Sequence, residues 1–164
     1  LPNRRMLIDR LETALSASQR TQTHGALLFL DLDKFKQLND THGHEIGDLM
    51  LQEVAQRLVH CVRAIDTVAR LGGDEFVLLI QNLSGPIAEA KVHASAVGHK
   101  ILASLNEPYR LKDVEHTLTP SIGATLFLGH GLNGTELLKQ ADVAMYEAKA
   151  KGRNTLCFFK ENGL

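Results

Sequence analysis

The sequence predicts a single α+β domain whose central sheet is largely antiparallel. Three features point that way. Residues 26–33, "ALLFLDLD", have as their core a nearly unbroken apolar run, as expected of a strand covered on both faces. Four other segments repeat apolar residues at helical spacing. The remaining strands are short, and two pairs of them are joined by tight turns, at Gly72-Gly73 and at Lys112-Asp113.

The elements follow in order. Residues 3–20 place Leu7, Ile8, Leu11 and Leu15 on one face of an amphipathic helix. Gly25 then opens the apolar strand. Over 44–63, Met50, Val54, Leu58 and Val62 recur every four residues, a helical period. Strands are expected near 67–71 and at 75–80, around the glycine pair. Pro86 begins a helix with Val97, Ile101 and Leu105 on one face, ending at Asn106-Glu107-Pro108. Short strands at 109–111 and 114–119, a strand at 121–127, a helix at 135–151 and a last strand at 155–159 complete the chain. No repeat or interior linker divides it.

The 164 residues are 44% hydrophobic and 23% charged, which suits one folded domain with a substantial core. A formal net charge of -1 argues against a nucleic-acid polymer or a membrane surface as partner. An anionic ligand must therefore be held by local basic residues. Cys61 and Cys157 form no C-x-x-C pair, and the expectation is two buried reduced thiols in a cytoplasmic setting. The start at Leu1-Pro2-Asn3 reads as a domain, residues 1–164, cut from a longer protein.

Three stretches could carry chemistry. Asp31 and Asp33 lie two apart at the end of a strand, hence on one face. Carboxylates there are solvated, or else paired or metal-bound. An EF-hand is excluded, because Phe35 and Lys36 stand where such a loop needs an oxygen ligand and a glycine. In "RLGGDEF" the adjacent acids Asp74 and Glu75 repel each other, and a turn alone does not require them. If the two strands are neighbours, Asp31 joins these acids at one end of the sheet. That makes an oxygen site suited to Mg²⁺ and substrate phosphates. Gly72 and Gly73 would let a substrate approach the backbone. In "AKAKGRN", Lys149 and Arg153 lie four apart at a helix end, either as dipole partners or as a phosphate clamp.

"FLDLDKFKQLNDTHGHEIGD", "RLGGDEF", "SIGAT" and "ADVAMYEAKAKGRN" together resemble, in order and over essentially the whole chain, the GGDEF family of diguanylate cyclases. The resemblance implies a fold similar to the nucleotidyl-cyclase palm, a five-stranded sheet ringed by helices. The implied reaction condenses two GTP into cyclic di-GMP with two pyrophosphates released, on two facing domains of a homodimer. Asp31, the carbonyl of Leu32, Asp74 and Glu75 match the metal positions, with Mg²⁺ as cofactor and Mn²⁺ able to substitute. Asp74 and Glu75 match the catalytic acids, and which of them takes the 3′-hydroxyl proton stays open. Asn39 and Asp48 match the guanine-reading pair, with His44 nearby. Lys36, Lys149 and Arg153 match phosphate contacts, and Phe35, Gly72 and Gly73 fall among the substrate-binding positions. Arg63 and Asp66, in "RAID", match an inhibitory product site. The secondary arginine that can accompany that site is not evident, and Ala94 lies about where it would be.

The rival reading is a non-catalytic GTP- or cyclic di-GMP-binding module, of the kind that precedes a phosphodiesterase domain into which "FFKENGL" could lead. Such modules commonly lose the acids, and here Asp31, Asp74 and Glu75 are all present. An ATP cyclase is disfavoured by Asn39 with Asp48.

Overall fold

The computed structural model describes residues 1–160, and the expected continuation through "ENGL" lies outside them. Asn3 caps the first helix, α1 (Arg4–Thr21), its side chain accepting from the Met6 N–H at 3.0 Å. The apolar strand follows as β1 (His24–Leu32), buried along nearly its whole length. Next come two helices, α2 (Phe35–His42) and α3 (His44–Cys61), meeting at Gly43, whose φ of +90° turns the chain between them. The hairpin β2 (Thr67–Gly72) and β3 (Glu75–Leu83) leads into α4 (Ile87–Asn106). A two-stranded ribbon, β4 (Tyr109–Leu111) and β5 (Val114–His116), stands apart from the main sheet. The chain then returns as β6 (Pro120–Phe127), α5 (Gly134–Ala150) and β7 (Leu156–Phe158).

The five-stranded sheet runs β2-β3-β1-β6-β7, antiparallel except for β6 with β7. Side chains alternate across it with period two. Leu28, Leu30, Phe76 and Leu78 face one core with α2, α3 and α4. Leu27, Phe29, Val77 and Leu79 face a second core with α1 and α5. That parity positions the site, because Asp31 and Glu75 continue the second series and point toward α1 and α5.

Two expectations need correction. Residues 35–42 form a helix where none was expected. The strand expected over 114–119 ends at His116, and 117–119 are irregular while Leu118 is buried. Ala94, which lies about where a second product-binding arginine would be, is 0% exposed on the inner face of α4. Cys61 and Cys157 are free and buried. Among the described residues, no helix is long and apolar enough to cross a membrane.

Candidate active site

The site gathers at one end of the sheet, where β1 finishes and β2 turns into β3. Asp31 pairs in register with Glu75 on one side and with Ser121 on the other. The turn is pinned from both flanks. Leu32 donates its N–H to the Asp74 carbonyl at 3.3 Å. Arg70 places Nε and Nη2 on the Gly73 carbonyl at 3.0 and 2.8 Å. Gly72 and Gly73 have φ of +146° and +51°, and an added Cβ would meet nothing within 4 Å at either. The glycines are thus required by the backbone, and the turn faces open space.

Lys149 reaches the acids from the last turn of α5, its Nζ 2.5 Å from Asp31 Oδ2. The helix can come that close because of Gly123, where a Cβ would strike the backbone of Met145 and Ala141. Asp31 Oδ1 is buried and has no partner. Burial, then a hydrogen bond available with Asp31, then the charge of Asp31, push the half-buried Asp74 up to about 7. Burial, with the charges of Asp31 and Asp142, also raises Glu75, against the pull of Arg4 and Lys149. Burial and Asp31 raise Asp142 likewise. Lys149 is lowered by burial, but the hydrogen bond and charge of Asp31, with Asp33 and Asp74, hold it above the ordinary lysine value.

Such crowding fits a cation. An orphaned carboxylate oxygen beside a second carboxylate held half-neutral is the donor set that a hard divalent ion satisfies. Among the described residues, no three Asp, Glu, His or Cys side chains close into a metal cage by themselves. A bound ion would therefore need other oxygens, from backbone, water or phosphate.

The remaining residues divide into separate groups. Asn39 is half-buried on α2, its Oδ1 unpartnered and lying where a Cβ on Gly47 of α3 would be. Gly47 thereby lets α2 and α3 close and brings Asn39 beside the segment carrying the exposed Asp48. His44 is exposed at the first residue of α3, Phe35 is buried at the first residue of α2, and Lys36 is exposed. A cavity of about 660 Å³ is lined by Asp33, Lys34, Gln37, Thr41, Thr119 and Arg153, among others, but not by the three acids. It follows the side of α2 away from Lys36 and Asn39. Arg153 lies beyond the end of α5 in a left-handed conformation, not on the helical face with Lys149. The three expected phosphate cations thus occupy three settings: Lys36 in solvent, Lys149 on Asp31, and Arg153 on the cavity.

Arg63 and Asp66 grip each other. Asp66, its side chain 2% exposed, accepts from the Arg63 N–H at 2.9 Å, from its guanidinium at 3.2 Å and from the Gln81 N–H at 3.1 Å. Half of the Arg63 side chain is open to solvent. The pair sits at the far end of the β2–β3 hairpin, roughly 20 Å from the acids at the strand rise per residue.

Asp33, which the sequence offered with Asp31 as a paired or metal-bound carboxylate, is held by Thr119, Ser121 and Asn154, while Arg70 and Asp142 carried no expectation. Asp142 was findable: it precedes Lys149 by seven residues, two helical turns, and so shares its face.

Residues 1–155 match the family described as "Diguanylate cyclase, GGDEF domain". The chain belongs to the GGDEF family. Its domain is 46% identical over 162 residues to the bifunctional diguanylate cyclase/cyclic di-GMP phosphodiesterase MucR of Pseudomonas aeruginosa, covering 99% of this chain and 23% of MucR. The crystal structure of the TpbB (YfiN) GGDEF domain from the same species superposes with a TM-score of 0.91 at 37% identity, covering 99% of this chain and 98% of that one. The GGDEF domain of DgcB from Caulobacter crescentus, solved in complex with c-di-GMP, gives a TM-score of 0.86 at 26% identity over 96% and 91% of the two chains. This GGDEF domain spans 23% of MucR and 35% of full-length TpbB.

Proposed function

We propose that this GGDEF domain condenses two GTP into cyclic di-GMP. Each 3′-oxygen attacks the α-phosphorus of the other nucleotide, the bond to the β-phosphate breaks, and pyrophosphate leaves. The observation that carries this reading is the meeting of Asp31, Asp74 and Glu75 at one sheet end, with Asp31 Oδ1 unpartnered and Asp74 raised to about 7. Asp31, Asp74 and Glu75 with the Leu32 carbonyl would hold Mg²⁺, for which Mn²⁺ can substitute. When bound, the ion neutralises charge on the reacting phosphates.

The chain's own groups do the rest. Asp74 or Glu75, adjacent at the turn, takes the proton on the 3′-oxygen. Asn39 Oδ1 and the Asp48 carboxylate accept from guanine's ring N–H and exocyclic amine, a donor pattern that adenine lacks. Lys36, Lys149 and Arg153 contact phosphate oxygens, and Phe35 and His44 border the nucleotide. Each domain binds one GTP, and the product joins two guanylates symmetrically. Two copies therefore face each other about a two-fold axis. Arg63, half open to solvent, contacts cyclic di-GMP in feedback inhibition, and Asp66 holds it in place. GTP as substrate and two free thiols suit the cytoplasmic side of a membrane.

A second reading has one observation in its favour: Lys149 already occupies the Asp31 carboxylate. A module that binds GTP or cyclic di-GMP without turnover, within a longer protein, could keep that pair permanently. Incubation with GTP and Mg²⁺ followed by mass analysis decides between them. Cyclic di-GMP and pyrophosphate are expected, whereas nucleotide binding without product would establish the regulatory module.

A further inference from the structure

The turn after α5 holds a backbone conformation that its sequence disfavours. Gly152, Arg153 and Asn154 have successive φ values of +106°, +64° and +49°, and only the first is glycine. Asn visits this region readily, whereas Arg persists in it when its surroundings hold it there. Two distant groups hold Asn154 in place. Its N–H donates to Asp33 Oδ2 at 3.1 Å. Its side-chain amide exchanges two hydrogen bonds with the amide of Asn106 at the end of α4, at 2.8 and 3.1 Å.

Both groups are themselves anchored. Asp33 is 4% exposed, and Thr119 Oγ1 and Ser121 Oγ donate to its two oxygens at 2.7 Å each. Asn106 Nδ2 also donates to the Leu102 carbonyl at 2.6 Å. Arg153, next to the clamped residue, is exposed and engaged in no side-chain hydrogen bond or ion pair among the described residues. The clamp fixes a residue whose neighbour is a free cation on the rim of a cavity.

We propose that Asp33 and Asn106 are positioning residues that clamp Asn154 and thereby aim the Arg153 guanidinium at the phosphates of the nucleotide. This rests on the reading of the 149–153 segment as phosphate-binding. With the clamp released, Asn154 is no longer held from Asp33 and α4 and the Arg153 side chain loses its fixed aim, while the Arg153 N–H keeps its bond to the Ala148 carbonyl at 3.1 Å. Lys149, still inside α5, keeps its place. The loss is then confined to what Arg153 contributes.

The experiment titrates the Mg²⁺-loaded domain with GTP, GDP and GMP, for the parent, Asn106→Ala, Asp33→Asn, Arg153→Ala and Asn106→Ala with Arg153→Ala. Asn106→Ala should weaken GTP binding about two- to tenfold, the range for loss of one well-placed hydrogen bond. The effect should shrink through GDP to nearly nothing for GMP. The double variant should bind GTP no worse than Arg153→Ala alone, because the clamp acts only through that side chain. Equal weakening for all three nucleotides, or additive losses in the double variant, would overturn the proposal in favour of a general structural role. Asn106 lies on the surface, so its variant decides the matter even if Asp33→Asn does not fold. A parent that binds GTP alongside an unaffected Asn106→Ala variant sinks this inference alone. A parent that binds none of the nucleotides sinks the phosphate-binding reading, and this inference with it.

Discussion

Lys149 sets its ammonium 2.5 Å from Asp31 Oδ2, across 118 residues of sequence and from the helical layer onto the sheet. Asp31 also pairs with Glu75 and sits against Asp74, so this one cation balances a crowded group of acids. Lys149→Met should destabilise the metal-free domain by about 1–3 kcal/mol, the worth of a charged hydrogen bond at a partly buried site. Millimolar Mg²⁺ should recover part of that loss, because the ion replaces the missing positive charge. Thermal melts with and without Mg²⁺ measure both effects, and an unchanged melting temperature would mean that the pair carries no net stability.

Asp74 gives the metal-free domain a pH dependence. Its folded pKa of about 7 lies above the ordinary value of 3.8, so the folded state favours the protonated acid. The associated stability is complete below the unfolded value and is lost as pH rises through about 7. Stability should therefore grow as pH falls from 8 to 5, by on the order of 1–2 kcal/mol given solvent screening at a half-buried site. Denaturant titrations should show this slope reduced in Asp74→Asn and in excess Mg²⁺. A slope unchanged in both would remove Asp74 as its source.

Asp74→Asn and Glu75→Gln should each abolish cyclisation with the fold intact, since each removes charge where phosphoryl transfer is stabilised. Asp48→Ala should weaken GTP binding by about 1.5–3 kcal/mol while changing ATP binding little. Near-normal turnover in Asp74→Asn, or equal losses for the two nucleotides in Asp48→Ala, would remove those assignments.

Gly123→Ala tests how α5 is held. Its new methyl group meets helix backbone rather than a flexible side chain, so the helix must lift. Overpacking of this kind costs about 1–3 kcal/mol. The displacement should also draw Lys149 off Asp31, visible as a lengthened Nζ–Oδ2 distance in a crystal structure of the variant. A retained 2.5 Å contact would show that α5 adjusts locally.

The Arg63–Asp66 pair should separate into two phenotypes. Arg63→Ala removes a half-exposed side chain and should abolish inhibition by added cyclic di-GMP while the domain stays folded and active. Asp66→Ala deletes a buried acceptor of four hydrogen bonds and should lower stability by about 1–3 kcal/mol. Inhibition assays and melts on both variants separate the roles. Undiminished inhibition in Arg63→Ala would place the product site elsewhere.

Much of this was legible in the sequence because it follows from periodicity. The apolar run of β1 identified a doubly covered strand, and taking the 26–33 and 67–80 strands as neighbours put Asp31 with Asp74 or Glu75 at one end of the sheet. The helix Phe35–His42 was not legible: eight residues with Phe35 and Leu38 as their buried side chains show too few turns to reveal a period. Asp33 was expected to share a face with Asp31, yet its partners Thr119, Ser121 and Asn154 lie 86 to 121 residues away, and no local pattern points to them. Arg153 was counted onto the helix because the four-residue spacing from Lys149 continues it. The turn that carries Arg153 off the axis is closed by its own N–H on the Ala148 carbonyl, and Asn154 after it is held by Asp33 and Asn106. Spacing finds what one element presents, and distant hydrogen bonds hold the residues beyond its end.

The domain carries its own resident counter-ion. On the proposed reading, a divalent cation arriving alone would have to evict Lys149 from Asp31 and strand a half-buried ammonium. Nucleotide phosphates arriving alone would bring more negative charge to acids that already repel one another. Arriving together, they would trade partners: Asp31 would be free to hold the metal, and the Lys149 ammonium to take a phosphate oxygen. Loading is then an exchange of ions, with metal and nucleotide each tightening the other's hold. Calorimetry should find either ligand weak by itself and strong in the other's company, and Lys149→Met should loosen that mutual dependence by leaving the carboxylate open to metal alone.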